Sequence, residues 1–167
     1  MLGVVAIGND FSVSQHVQQL VASSAQTNYA LRVLRYHGLD DAALQHVYRA
    51  TVVARLTYAA SAWHGFAKVH ERQRIDSVIN RARRLGYCSP DTPTFNDLCD
   101  NADDELFNKA ILWSNHVLHA LLPLTSASSQ RYNLRQRPHL LQLPEHTTQL
   151  SDCSFLIRML YLSLIHI

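Results

Sequence analysis

The chain has 167 residues, 47% of them hydrophobic, and a formal net charge of +2; it can bury a real core but is too weakly charged overall to mark a nucleic-acid binder by itself. No apolar run reaches about 18 residues, which excludes a transmembrane helix, and the apolar start at Met1 to Ile7 lacks a basic leader, so an intracellular setting is expected. Cys88, Cys99 and Cys153 are odd in number, widely spaced and without a Cys-x-x-Cys pair, which fits reduced thiols better than a disulfide framework.

Leu2-Gly3-Val4-Val5-Ala6-Ile7, closed by Gly8-Asn9-Asp10, reads as one short β-strand and a turn. No later segment offers it an obvious mate, so its sheet partners are expected outside the sequence given. From Ser14 to Arg35, Val17, Leu20, Val21, Ala25, Leu31 and Leu34 recur at helical spacing opposite Gln15, Gln18, Gln19 and Gln26. Gly38 stands where a C-terminal cap is expected, and Asp40 caps a second helix over about Asp41 to Ala60, with Leu39 and Leu44 as a hydrophobic staple. That helix carries Leu44, Val47, Tyr48, Val52, Leu56 and Ala59 and leads to Trp63. Two such helices joined by a short turn form an antiparallel hairpin.

A third helix is predicted over Lys68 to Leu85, with Ile75, Val78, Ile79, Ala82 and Leu85 inward and Gly86 as its stop. At about 100° per residue, Arg74, Arg81 and Arg84 fall on one flank of that stripe and Arg72 with Arg83 on the other. Thr94 and Asp97 form a capping box for a short fourth helix, and Asp103, Asp104 and Glu105 crowd the first turn of a fifth, where the backbone dipole favours acids. The fifth runs to Leu122, with Ser114-Asn115 as its weak point, and stops at Pro123. Thr125 to Pro144, rich in Ser, Gln and Pro, reads as an extended peripheral arm, and Ser151 caps a last short helix with Phe155, Leu156, Met159 and Leu160. The expected fold is mainly α, a helical bundle with one N-terminal strand and an extended C-terminal arm.

The charge is unevenly distributed. Phe66 to Pro90 holds six bases, Lys68, Arg72, Arg74, Arg81, Arg83 and Arg84, against two acids, whereas Asp91 to Glu105 holds six acids and no base. Of the 15 bases 13 are arginine, the side chain that grips phosphate bidentately and stacks on bases. The arginine helix is either a solvated face or a phosphate groove. Tyr132-Asn133-Leu134-Arg135-Gln136-Arg137 interleaves arginine with an aromatic, a composition suited to a nucleic-acid strand, unless the arm only drapes over its own domain.

Other chemistry is weakly signalled. His116 and His119 share a helix face and with Cys88 and Cys99 would make a four-ligand zinc set, but the cysteine spacing is not that of a zinc finger, and packing of His119 beside Leu118 and Leu121 is the simpler reading. No HExxH, GxSxG, GxGxxG or phosphate-loop motif occurs. Asp40-Asp41 and Asp103-Asp104 sit at expected helix starts, so capping accounts for them.

In their order along the chain these segments resemble the C-terminal part of the reverse transcriptase of non-LTR retrotransposons, the jockey-like elements in particular. Leu2-Gly3-Val4 followed by Ser14-x-His16-Val17 looks like the exit from the polymerase palm into the thumb. Tyr29-Ala30-Leu31-Arg32-Val33-Leu34-Arg35, Leu56-Thr57-Tyr58-Ala59 with Ala62-Trp63-x-Gly65-Phe66, and Arg72-Gln73-Arg74-Ile75 are similar to the thumb helices. Asn115-His116-Val117-Leu118-His119, Tyr132-Asn133-Leu134-Arg135-x-Arg137 and Phe155-x-x-Arg158-Met159-Leu160-Tyr161 look like the extension beyond them.

The resemblance implies the end of a palm at 1–12, a helical thumb-like domain at 13–123, and an arm with a short helix at 124–161. In that family the palm aspartates of a Tyr/Phe-x-Asp-Asp motif hold the Mg2+ ions of nucleotidyl transfer; they are expected upstream of this sequence, so no catalytic residue, metal ligand or cofactor is assigned here. What carries over is a grip on the parent polymerase's partners, RNA template and DNA primer, in the nucleus or cytoplasm, with no membrane or small-molecule substrate. The grip is assigned to Arg72, Arg74, Arg81, Arg83 and Arg84, with Arg135 and Arg137 secondary. Residues 162–167 depart from the family pattern and look like a translated sequencing adapter, a non-native tail. Two rival readings stand beside this one: a helical adaptor that binds another protein through the Leu/Val face of its first two helices, and a transposon remnant without function.

Overall fold

The structure is a computed structural model that describes residues 5–9, 11–125, 141–145 and 148–165. The mainly α class holds. The chain runs through α1 (Ser14–Tyr36), α2 (Asp41–Tyr48), a π-helical segment (Arg49–Val53), α3 (Ala54–Thr57), α4 (Ala60–Trp63), a 3-10 turn (His64–Phe66), α5 (Val69–Arg84), α6 (Phe95–Leu112), a second 3-10 turn (His119–Leu121), α7 (Gln149–Asp152) and α8 (Phe155–Ile165). Among the described residues there is no β-strand, only an isolated bridge between Thr125 and Leu141. Leu2 to Val4 of the expected strand lie outside the described residues, and Val5 packs against the helical core. No described helix is long and apolar enough to cross a membrane. The chain divides into two compact units, Met1–Asp100 and Asn101–Ile167.

In the first unit, α1 packs on α2 and α5. The joint between α1 and α5 is a buried carboxylate. Ser14, the first residue of α1, donates through Oγ to Glu71 Oε1 at 2.5 Å, and the backbone N–H of Lys68, the N-cap of α5, donates to Glu71 Oε2 at 2.7 Å. One anion thus sits at the N-terminal ends of two helices, where unpaired N–H groups and the aligned peptide dipoles favour negative charge. At the other end Arg35, in the last turn of α1, donates to the Leu85 carbonyl at 2.6 Å, pairs with Asp41 at 2.9 Å and lies 4.7 Å from the Tyr87 ring centroid. With starts joined to starts and ends to ends, α1 and α5 run parallel.

Burial on α1 departs from its apolar letters. Val17, Leu20 and Leu31 are buried as expected, but Ala25 is exposed, Leu34 is 40% exposed, and His16, Ser24 and Asn28 take inward positions. Ser24 is tolerated inside because its hydroxyl donates to the Leu20 carbonyl at 2.7 Å.

Asp40 caps α2 by accepting from the Ala43 N–H at 2.6 Å, as the sequence predicts. Leu44, Tyr48, Val52 and Leu56 then lie at strict four-residue spacing and are each fully buried. Four residues overshoot an α-turn of about 3.6, so such a series drifts around a regular helix. The wider turn at Arg49–Val53 takes up the drift and keeps all four on the core side. The expected helix end at Ala60 is earlier: α3 stops at Thr57, Tyr58 leaves the helical region, and Ala59 turns left-handed at φ 48°. This break lets Trp63 enter the core, its Nε1–H donating to the Tyr58 carbonyl at 3.2 Å. Trp63 meets His16 edge-on at 4.8 Å between centroids and stacks on Phe95 at 5.7 Å. Burial holds the His16 imidazole below its ordinary value.

α5 ends at the predicted place. Gly86 takes φ 72°, and the N–H of Tyr87 returns to the Ala82 carbonyl at 2.9 Å, a left-handed cap that L side chains resist. Thr94 and Asp97 form the expected reciprocal cap: the Thr94 N–H donates to Asp97 Oδ2 at 3.0 Å and the Asp97 N–H to Thr94 Oγ1 at 3.2 Å. The short fourth and separate fifth helices are, however, one continuous α6, because nothing between Thr94 and Leu112 breaks the backbone pattern.

Joining those helices moves the acidic run out of a first turn, so capping does not explain it. In the second unit Asp103 is 2% exposed and pairs with Arg158 at 2.5 Å, and Glu105 pairs with Lys109 one turn on. α6 ends at Leu112 rather than Leu122, with turns following through Leu118. Phe107, Met159 and Leu160 form a second core that also receives Leu141 and Leu143, so the end of the expected peripheral arm is part of a core. Thr148, not Ser151, is the cap of the last segment: the Ser151 N–H donates to Thr148 Oγ1 at 3.2 Å, ahead of α7, and α8 starts afresh at Phe155.

Burial by itself raises the Glu71 carboxyl, but the hydrogen bonds from Ser14 and Lys68 outweigh it and hold the group below its ordinary 4.5. A depressed folded-state value gives stability that is present above the unfolded value and lost as pH falls through the folded one. Glu71→Gln is expected to lower stability at pH 7 by about 1–3 kcal/mol, with the gap to wild type closing below pH 4.5, in urea titrations across that range. Ala59→Gly relieves the left-handed strain and is expected to leave stability unchanged or raised by up to about 1 kcal/mol, against the usual loss for glycine near a helix, by thermal unfolding.

Candidate nucleic-acid interface

The candidate site lies between α1 and α5 in the first unit, and the parallel joint just described creates it. A cleft of ≈ 550 Å³ runs between the two helices. α5 supplies Arg74, Arg81 and Arg84, the flank that helical geometry groups together, and all three are exposed. Across the cleft α1 supplies Arg32, whose guanidinium sits 5.4 Å from the centroid of the Tyr29 ring. Val21, Ala25, Val78 and Leu85 provide an apolar lining. Among the described residues no carboxylate lines the cleft. Asp40 and Asp41 lie beside Arg84 on its other side, with Asp41 paired to Arg35; within the cleft itself the four guanidinium groups create a positive field that an external anion relieves.

The arginines assigned from the sequence separate into two groups. Arg74, Arg81 and Arg84 form no ion pair or side-chain hydrogen bond among the described residues, so their donors face outward. Arg72 and Arg83 are half-buried and engaged with the protein's own backbone. Arg72 Nε donates to the Ala67 carbonyl at 3.1 Å. Arg83 donates through Nη1 to Asn80 Oδ1 at 2.5 Å and through Nη2 to the Thr92 carbonyl, fastening α5 to the turn before α6. Arg135 and Arg137 lie outside the described residues.

Three contributors from α1, Asn28, Tyr29 and Arg32, were not assigned from the sequence. Their signal is an aromatic and an arginine three positions apart, next to an asparagine, which has meaning only once α5 is known to lie alongside. Asn28 is 8% exposed, and its Oδ1 has no hydrogen-bond partner among the described residues.

Among the described residues no three His, Cys, Asp or Glu side chains gather as a metal site. His119 Nδ1 lies 2.8 Å from the Ala110 carbonyl, and Cys88 is buried, with its thiol pushed up by desolvation. No family model, curated protein or solved structure matches the chain.

The two arginine groups predict opposite phenotypes. Arg83→Ala is expected to lose about 1–2 kcal/mol of stability through the orphaned Thr92 carbonyl and the freed turn. Arg81→Ala, on the exposed flank, is expected to stay within about 0.5 kcal/mol of wild type. Chemical denaturation of the two single variants checks the contrast.

Proposed function

We propose that the first unit is a thumb-like element of a non-LTR-type reverse transcriptase that grips RNA template and DNA primer by their phosphates through the α1/α5 cleft. The supporting observation is the convergence of Arg32, Arg74, Arg81 and Arg84 on one cleft that no acid lines among the described residues. Such an arrangement suits a ligand with repeated negative charge along its length, because each arginine neutralises a phosphate and releases condensed counterions. The order of thumb-like segments along the chain supports the same reading, and it assigns nucleotidyl transfer and its Mg2+ to palm aspartates outside this sequence.

The principal role rests on Arg74, Arg81 and Arg84, joined by Arg32. Arg72 and Arg83 hold local structure in this reading and contribute to the field at a distance. The rival adaptor reading needs the Leu/Val face of the first two helices for a partner, yet Leu20, Leu44, Val52 and Leu56 are buried in the protein's own core.

Charge reversal tests the proposal. Wild-type chain binding an RNA–DNA primer–template is expected to show a linear loss of log affinity with log salt. The triple variant Arg74→Glu, Arg81→Glu, Arg84→Glu is expected to bind at least about tenfold more weakly, with the salt slope reduced by about 2–3, the equivalent of three lost phosphate contacts. Affinity and slope unchanged from wild type would refute the assignment.

A further inference from the structure

The cleft has features that a pure phosphate track does not require. A track needs cations on a surface, whereas here the arginine rim surrounds apolar side chains, Val21, Ala25, Val78 and Leu85, and a volume of ≈ 550 Å³. Ligand cavities for small organic groups begin at roughly 300 Å³, so the cleft has room for one nucleotide. Asn28 on its wall is more than nine-tenths buried, and its Oδ1 acceptor has no partner among the described residues. An unpaired buried acceptor is costly, and native structures retain few of them. Tyr29 is 63% exposed at the edge, with Arg32 against its ring, so an aromatic face is available for stacking.

We infer that the cleft takes up one unstacked base of a single-stranded nucleic acid. This deepens the phosphate-grip reading and rests on it for how the strand is delivered, but the base contact is separately measurable. The base lies on the apolar wall against Tyr29 and donates an N–H to Asn28 Oδ1, while its flanking phosphates meet the arginine rim. Asn28 Oδ1 is covered by its surroundings. Rotation about χ2, a broad and soft torsion for asparagine, or displacement of the exposed Tyr29 and Arg32 side chains brings it to the ligand. An acceptor of this kind favours bases that present an N–H at the edge, such as the adenine amino group. A base without one leaves Asn28 unpaired.

The experiment is a titration of the full chain, followed by amide NMR shifts, with AMP, with purine riboside 5′-monophosphate, which lacks the amino group, and with ribose 5-phosphate, which lacks the base. AMP is expected to bind tightest, the purine analogue about 3–10-fold more weakly as one hydrogen bond is lost, and ribose 5-phosphate weaker still. Asn28→Ala is expected to remove the difference between AMP and the purine analogue while leaving the ribose 5-phosphate response intact. Ala25→Trp, at an exposed position on the same wall, is expected to block both base-bearing ligands while Asn28 and every arginine are retained. Equal binding of AMP and ribose 5-phosphate would overturn base uptake and leave the phosphate grip standing. AMP binding that depends on Asn28, alongside salt-independent polymer binding, would overturn the grip and leave base uptake standing. No response to any of the three ligands overturns base uptake.

Discussion

The arrangement of the first unit depends on a single buried carboxylate. Glu71 accepts from Ser14 at the start of α1 and from the Lys68 N–H at the start of α5, so two helix N-termini share one negative charge. Parallel helices bring like dipole ends together, which is unfavourable unless a counter-charge lies between them. Glu71 supplies it at one end. Arg35 supplies the opposite charge at the other, where the last turn of α1 meets the Leu85 carbonyl that closes α5. The pairing is electrostatically consistent at both ends, and it fixes which flank of α5 looks toward α1.

That register turns an amphipathic helix into a cleft. With α1 and α5 held side by side, the Arg74–Arg81–Arg84 flank faces Tyr29 and Arg32 across apolar side chains, while Arg83 on the far flank fastens the turn leading to α6. Arginines one to ten positions apart on one helix therefore divide into outward-facing donors and structural ties. The deciding quantity is local: a guanidinium that already donates to a carbonyl at hydrogen-bond distance has fewer donors left for phosphate.

The core shows the same economy of causes. Trp63 is drawn into the first unit by the break at Tyr58 and Ala59, and from there it contacts both His16 of α1 and Phe95 of α6. The π segment at Arg49–Val53 keeps a four-residue repeat of large side chains on one side of the α2–α3 rod. Each is a local departure from regular helix that allows more apolar surface to be buried.

Capping chemistry and periodicity, which act within a turn or two, were legible in the sequence alone. Asp40, Gly86 and the Thr94–Asp97 box do what their residue types predict, and the inward stripe of α5 and the grouping of Arg74, Arg81 and Arg84 follow from helical geometry. Pairings distant along the chain were settled only by tertiary structure. The inward turn of His16, Ser24 and Asn28 depends on what α1 packs against, not on their own polarity. Asp103 reads as a helix-start acid by spacing, but it lies inside a continuous α6, buried against Arg158. The opposite wall of the cleft, Asn28, Tyr29 and Arg32, depends on the register of α1 against α5. A sequence fixes which residues share a face of one helix; which face meets which is set by the Glu71 and Arg35 joints, whose partners lie 57 and 50 positions apart.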